Sequence, residues 1–443
     1  MKGWENHGSI SSSSSSSSSS ASAHICAFAY CGQIGNTTFN RCVNYADLVV
    51  SGGCYLATGG IGIIGANNPS GKPTYCENRG NIYLYEGDGR AQGFYGFAGG
   101  DAYQGQSYSY NTNYGNIRIE GKTAGRYEIG GISGVGGYAV DAWTINDHCA
   151  NYGTLEYIGT NTSGSEEVSI GGIQAPKVLQ REYFYTTRYC ANYGTLKITS
   201  QNKSATTKLG IGGVVAMSSP NGSAQYNYPR YTLLNSSVNF GKLIMNVPDD
   251  FERVADVSGV CAAYSERKCD VRINWSYNLG EFKWSGRNIC IGGIMGLQDA
   301  ETASDEFSHI DHSYSICSYV GPTNGNYVGS VVGYAKSVTG PITVSNSFGV
   351  AVNRSDISAF GYFDNAYTNN VKGYTYGEIY GDLYIPSYFL PTANFIAPTY
   401  GATYYDYIAP INAQAFPSDT DAVKALHNVT KAGGFKRFIR FNK

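Results

Sequence analysis

Apolar and polar residues alternate with a period of two in short runs, as in Gly194-Thr195-Leu196-Lys197-Ile198. Such alternation marks strands with one buried face, and glycine is too dense for helical repeats. The runs are tied to two recurring phrases. The first is Asn, an aromatic or long residue, Gly, any residue, then an apolar residue. It occurs as Asn78–Ile82, Asn113–Ile117, Asn151–Leu155, Asn192–Leu196, Asn239–Leu243 and Asn278–Phe282. Degenerate copies begin at Asn44, Ser315 and Ser347. The second phrase, of the form Ile-Gly-Gly-Ile-x-Gly, follows each copy: Ile129–Gly134, Ile170–Ile173, Ile211–Val214, Ile291–Gly296 and Val328–Gly333.

The glycine position of the first phrase falls at residues 8, 46, 80, 115, 153, 194, 241, 280, 317 and 349, a mean spacing of about 38 residues. Ten units exceed the usual ~4–8 blades of a propeller, whereas a solenoid needs no closed count and tolerates unequal loops. The expected fold is therefore all-β: a right-handed, single-stranded parallel β-helix of about ten repeats over residues 1–383. Each coil has a strand after the first phrase, one at the second phrase and one before the next Asn. The hand follows from the general preference of parallel crossovers.

Stacking at ~4.8 Å would align the corner residues Asn44, Asn78, Asn113, Asn151, Asn192, Asn239 and Asn278 into a ladder of side-chain amides. Asn and Gly suit a corner because they tolerate φ > 0. Cys42, Cys76, Cys149 and Cys190 each lie two residues before the corner Asn and would form an interrupted column. They are buried thiols or, less suited to in-register parallel geometry, disulfides Cys42–Cys76 and Cys149–Cys190. From residue 384 to 443 the frame is lost. Five prolines punctuate an aromatic stretch, and Ser418–Asp421 opens a short helix carrying Val423, Leu426 and Val429 on one face. This segment is expected to cap the solenoid's open end.

The pattern resembles the GLUG-motif repeats of bacterial surface and secreted proteins, best at Gly131-Ile132-Ser133-Gly134, Gly293-Ile294-Met295-Gly296 and Ser330-Val331-Val332-Gly333. The resemblance implies a β-solenoid in an adhesin-like or envelope-anchored protein, and no single activity.

Composition narrows the choice. Lys+Arg 31 against Asp+Glu 33 leaves no basic field for nucleic acid or an anionic membrane. No apolar run is long enough for a membrane-spanning helix, and Met1–His7 lack the apolar stretch expected of a secretory leader. Eleven cysteines lack any Cys-x-x-Cys pair. No metal or cofactor signature stands out. Asp305–His312 is the densest ionisable cluster, but Asp311-His312 and its repeat equivalent Asp147-His148 lie four units apart. Glu166, Glu167, Asp249, Asp250 and Glu252 could supply a glycosidase pair, with nothing to align them.

The longest repeats carry two insertions rich in Tyr and Arg. One holds Arg181, Tyr183, Tyr185 and Arg188; the other holds Tyr226, Tyr228, Arg230 and Tyr231. Projecting from one side of adjacent coils, they would offer rigid amphipathic rings beside arginines for a ligand. The expected function is an extracellular or cell-surface, adhesin-like module that binds glycan or protein along this side. Alternatives on the same scaffold are a polysaccharide-degrading enzyme and a phage-type fibre or spacer. Asn6–Ile10 reads as a first copy of the first phrase, with Ser11–Ser20 as a loop of the first coil. Met1 then falls inside a solenoid, so a continuation before it is expected.

Overall fold

The structure is a computed structural model. It describes residues 2–14, 23–31, 39–52, 55–64, 73–87, 93–99, 106–135, 142–176, 183–217, 230–263, 270–300, 309–337, 343–351, 353–364, 367–374, 384–386 and 440–442. Among the described residues every regular element is a β-strand, and all strand pairings are parallel.

One coil illustrates the course of the chain. Strand Ile117–Gly121 follows the first phrase, and Arg126–Gly130 leads into the second. The chain bends at Gly131 and Ile132, runs on as Ser133–Val135, and returns through Ala142–Asp147 to the next corner at Ala150–Asn151. Equivalent residues of successive coils pair in register. Leu48, Ile82, Ile117, Leu155, Leu196, Leu243 and Phe282 form one inward column. Phe94, Ile129, Ile170, Ile211, Val257 and Ile291 form another opposite it. The result is a parallel β-solenoid.

The asparagine ladder forms as the spacing implies. Each corner amide donates to the next: Asn44 to Asn78 at 2.9 Å, Asn78 to Asn113 at 2.8 Å, Asn113 to Asn151 at 2.8 Å, Asn151 to Asn192 at 2.8 Å, Asn192 to Asn239 at 2.7 Å and Asn239 to Asn278 at 2.8 Å. The other hydrogen of each Nδ2 goes to the corner carbonyl two residues on, as from Asn151 to Gly153 at 3.0 Å. These amides are fully buried, so an unmade bond would cost about 1–3 kcal/mol. The ladder ends where Asn278 donates to Cys317 Sγ at 2.9 Å.

The ladder explains why the two phrases travel together. A Cβ on Gly131, in the second phrase, would strike the Gly172 carbonyl oxygen and the Asn151 side chain. A Cβ on Gly153, in the first phrase, would strike the Gly115 carbonyl oxygen. Glycine on both sides lets the coil close onto the amide. The ladder thus crosses the coil's waist and divides the apolar interior in two. One half holds Leu155, Ile170 and Leu196; the other holds Cys149, Ile173 and Val214.

The cysteine column has a specific role. The backbone N–H at this position donates to the side chain of the next coil: Cys42 to Cys76 Sγ at 3.4 Å, Cys76 to Asn111 Oδ1 at 3.0 Å, Cys149 to Cys190 Sγ at 3.4 Å and Cys190 to Ser237 Oγ at 3.3 Å. Ser237, Ser276, Ser313 and Ser347 carry the same chain of bonds further. Cys42, Cys76, Cys149 and Cys190 are free and buried, and desolvation pushes the Cys76 thiol up to about 12.

Two expectations change. Ser11–Ser14 is not loop: it belongs to strand Ile10–Ser14 and pairs with Val49–Gly52, because ladder hydrogen bonds need only backbone. The Tyr/Arg segments are partly sheet, since Tyr183–Arg188 and Arg230–Asn235 are adjacent parallel strands. In the tail, Tyr384–Pro386 pairs with Arg440–Asn442, while the expected helix lies outside the described residues.

Two substitutions test this account. Asn151→Ala is expected to cost about 3 kcal/mol by denaturant unfolding, and Asn151→Ser less, as Ser315 already stands in this column. Cys190→Ser should stay within about 1 kcal/mol of the parent, whereas Cys190→Ala should cost about 2 kcal/mol by orphaning the Cys149 N–H.

Candidate binding surface

The corner that buries the amides also carries two columns of side chains that are exposed at some coils. The residue three before the corner Asn has left-handed backbone: Arg41, Tyr75, Tyr110, His148, Tyr189, Ser236, Trp275, His312 and Asn346, with φ between 44° and 57°. Glycine would adopt this conformation without strain, yet side chains, mostly large ones, stand there. They stack. Tyr75 and Tyr110 lie 4.8 Å apart between centroids, Tyr110 and His148 4.8 Å, His148 and Tyr189 4.9 Å, and Trp275 and His312 4.0 Å. Arg41 covers Tyr75 at 6.0 Å.

The second column is the residue directly after the corner Asn. His7 stacks on Tyr45 at 4.5 Å, and Arg79 is sandwiched between Tyr45 at 5.9 Å and Tyr114 at 4.8 Å. Tyr114, Tyr152, Tyr193 and Phe240 continue at 5.1, 4.8 and 4.8 Å, with planes within 6–11° of parallel. Tyr45, Tyr75, Tyr114 and Tyr152 are 42%, 47%, 40% and 37% exposed, so the strip is open at these four rings, while the His148 side chain and Ser236 are buried within it.

Charge along the strip is matched. Arg79 pairs with Glu77 at 2.7 Å. Asp147 takes His148 Nδ1 at 2.6 Å and Arg188 at 3.1 Å. Burial alone would raise the Asp147 carboxyl, but hydrogen bonds and charge from these two partners hold it below its ordinary range. Asp311 repeats the motif with His312 at 2.6 Å and is likewise held low, against burial, by Ser345, His312 and Asn346. Partial burial raises the Tyr114 phenol, helped by Glu77, so it stays neutral at physiological pH.

The residues singled out from sequence do not share one placement. Arg181, Tyr226 and Tyr228 lie outside the described residues. Tyr183 pairs with Arg230 and Phe184 with Tyr231 in the backbone register of neighbouring strands. Tyr185 is a correction: it is fully buried among Tyr108, Cys190 and Ile173, because strand alternation turns it inward with Thr187. Arg188 is exposed and paired to Asp147. The strip itself was missed, although its second column is the variable position of the Asn-Tyr-Gly phrase.

Three of the carboxylates considered for a glycosidase pair have partners within the fold. Glu166 is buried, accepting Tyr157 OH and Ser200 Oγ, each at 2.5 Å, while Glu167 faces Arg126 and Asp250 pairs with Lys203 in an exposed turn. Among the described residues no group of three or more His, Cys, Asp or Glu could hold a metal ion, and no helix is long and apolar enough to cross a membrane. No protein-family model, curated protein or solved structure matches the chain.

Glu166 gives a pH test. Burial raises its carboxyl, against the opposing hydrogen bonds from Ser200 and Tyr157. A raised folded value means a contribution present below the unfolded value of ~4.3 and lost as pH rises through the folded one. Glu166→Gln should therefore match the parent near pH 4 and become the more stable of the two as pH rises towards 8 in urea unfolding. A parent that gains on the variant as pH rises would overturn the assignment.

Proposed function

We propose that this chain is an adhesin-like, non-catalytic binding solenoid of the extracellular or cell-surface type, engaging a glycan or protein along its aromatic corner. In finer detail we take it as a right-handed helix of about ten coils, capped by residues 384–443 and related to the GLUG-motif repeats. The observation that carries the proposal is the pair of stacked columns on one rigid corner, exposed at Tyr45, Tyr75, Tyr114 and Tyr152. Tyrosine offers large contact area with little entropy to lose, and a stacked ring loses less still. Left-handed backbone at Tyr75, Tyr110, His148 and Tyr189 supports a role for the side chains, since glycine would serve the turn alone. Of the Tyr/Arg segments, only Arg188 would extend the same strip. The enzyme alternative draws no such support, because Glu166 is held inside the coil.

A binding screen tests this. Wild-type protein is compared with Tyr114→Ser/Tyr152→Ser on immobilised polysaccharides and surface proteins, with Lys203→Ala in an exposed turn as control. The tyrosine variant should bind about tenfold or more weakly, ~1.4 kcal/mol, and the control should be unaffected. Equal binding by both variants would remove the corner from consideration, and release of reducing ends would favour the enzyme.

A further inference from the structure

On the premise that this corner is the binding surface, we infer that its ligand is a linear, uncharged polysaccharide lying parallel to the solenoid axis, met by ring edges and phenol hydroxyls rather than ring faces. The direction comes from the ladder. His7, Tyr45, Arg79, Tyr114, Tyr152, Tyr193 and Phe240 follow one another along the axis, so the strip is long in that direction only. A polymer whose monomers repeat near the strand spacing of ~4.8 Å stays in step with it.

The mode of contact comes from the stacking. Tyr152 has Tyr114 against one face at 5.1 Å and Tyr193 against the other at 4.8 Å, both nearly coplanar in orientation. A sugar therefore cannot lie flat on an inner ring; at Tyr45, Tyr114 and Tyr152, the exposed rings of this column, it would meet the edge and the hydroxyl, whereas the Tyr193 hydroxyl is buried. A phenol hydroxyl both donates and accepts, which suits sugar hydroxyls, themselves donors and acceptors.

The absence of ligand charge follows from matched charge on the strip. Arg79 is answered by Glu77, and Arg188 by Asp147. The Tyr114 phenol is raised and neutral. Arg41, at one end, covers Tyr75 and sets no repeating cationic row. A polyanion would meet as many carboxylates as arginines along the middle of the ladder. A folded protein seldom repeats one chemistry at strand spacing, which favours the sugar polymer over a protein partner.

Each rung makes only a weak contact, so affinity must accumulate along the chain. The test is calorimetry of the full chain against linear β-1,4-linked gluco-, manno- and xylo-oligosaccharides, from disaccharide to octasaccharide, with polygalacturonate as the charged counterpart. For a neutral series, affinity should climb with each added sugar, by about 100-fold from disaccharide to octasaccharide. Tyr152→Ser interrupts the ladder at its middle and should weaken the octasaccharide more than the tetrasaccharide, with an unchanged unfolding profile showing that the coil is intact. Affinity that saturates at the disaccharide, or a preference for polygalacturonate, would overturn the inference while leaving the corner as a binding surface. The same holds if only a protein partner binds there. Binding that ignores Tyr114→Ser/Tyr152→Ser would sink the premise itself.

Discussion

The buried amide ladder is the constraint on which the rest of the solenoid depends. A side-chain amide carries two donors and an acceptor, and inside a dry coil each must find a partner. At Asn151 the solution is complete: Asn113 donates in, and Asn192 and the Gly153 carbonyl take the two hydrogens. That solution works at only one register, because a slip of one residue would turn the amide to solvent and bring its neighbour inward. The ladder therefore fixes the stacking of every strand around it. It also demands close backbone approach from both sides, which is why Gly131 and Gly153 flank it.

The cysteine column shows the same logic with looser chemistry. What the fold requires there is an acceptor for the previous coil's N–H and a donor for the carbonyl two residues back. Cys190 reaches Arg188 O at 3.2 Å, Ser237 reaches Asn235 O at 3.1 Å and Ser313 reaches Asp311 O at 2.9 Å. Thiol and hydroxyl both satisfy the pair of demands. The change from Cys to Ser along the rod is thus a substitution within one role, and it accounts for thiols that pair with no other thiol.

These internal columns were legible in sequence because they are periodic and chemically restricted: few residues besides Asn can make three bonds at that point. The outer columns were harder to see. The position after the corner Asn holds His7, Tyr45, Arg79, Tyr114, Phe240 and Leu279, which looks permissive until stacking joins most of them into one surface. The left-handed position holds Tyr75, His148, Ser236 and Trp275, and no propensity marks it, since glycine is what such backbone leads one to expect. Tyr185 erred in the other direction. Its company of Tyr183 and Arg188 suggested a projecting loop, but period-two alternation places it with Thr187 inside.

Stacking along the axis has a consequence for recognition. Neighbouring rings order one another and so reduce the entropy that a ligand would have to freeze, but they also occupy the faces on which single aromatic platforms work. A surface of this kind gains rigidity and length at the expense of strength per contact. It can discriminate by repeat distance and by chain length, which a single stacked ring cannot do. The same spacing that lets Asn113, Asn151 and Asn192 bond in sequence within the coil sets the spacing of Tyr114, Tyr152 and Tyr193 outside it, one residue away. The register imposed by the buried amides is therefore also the ruler presented at the surface.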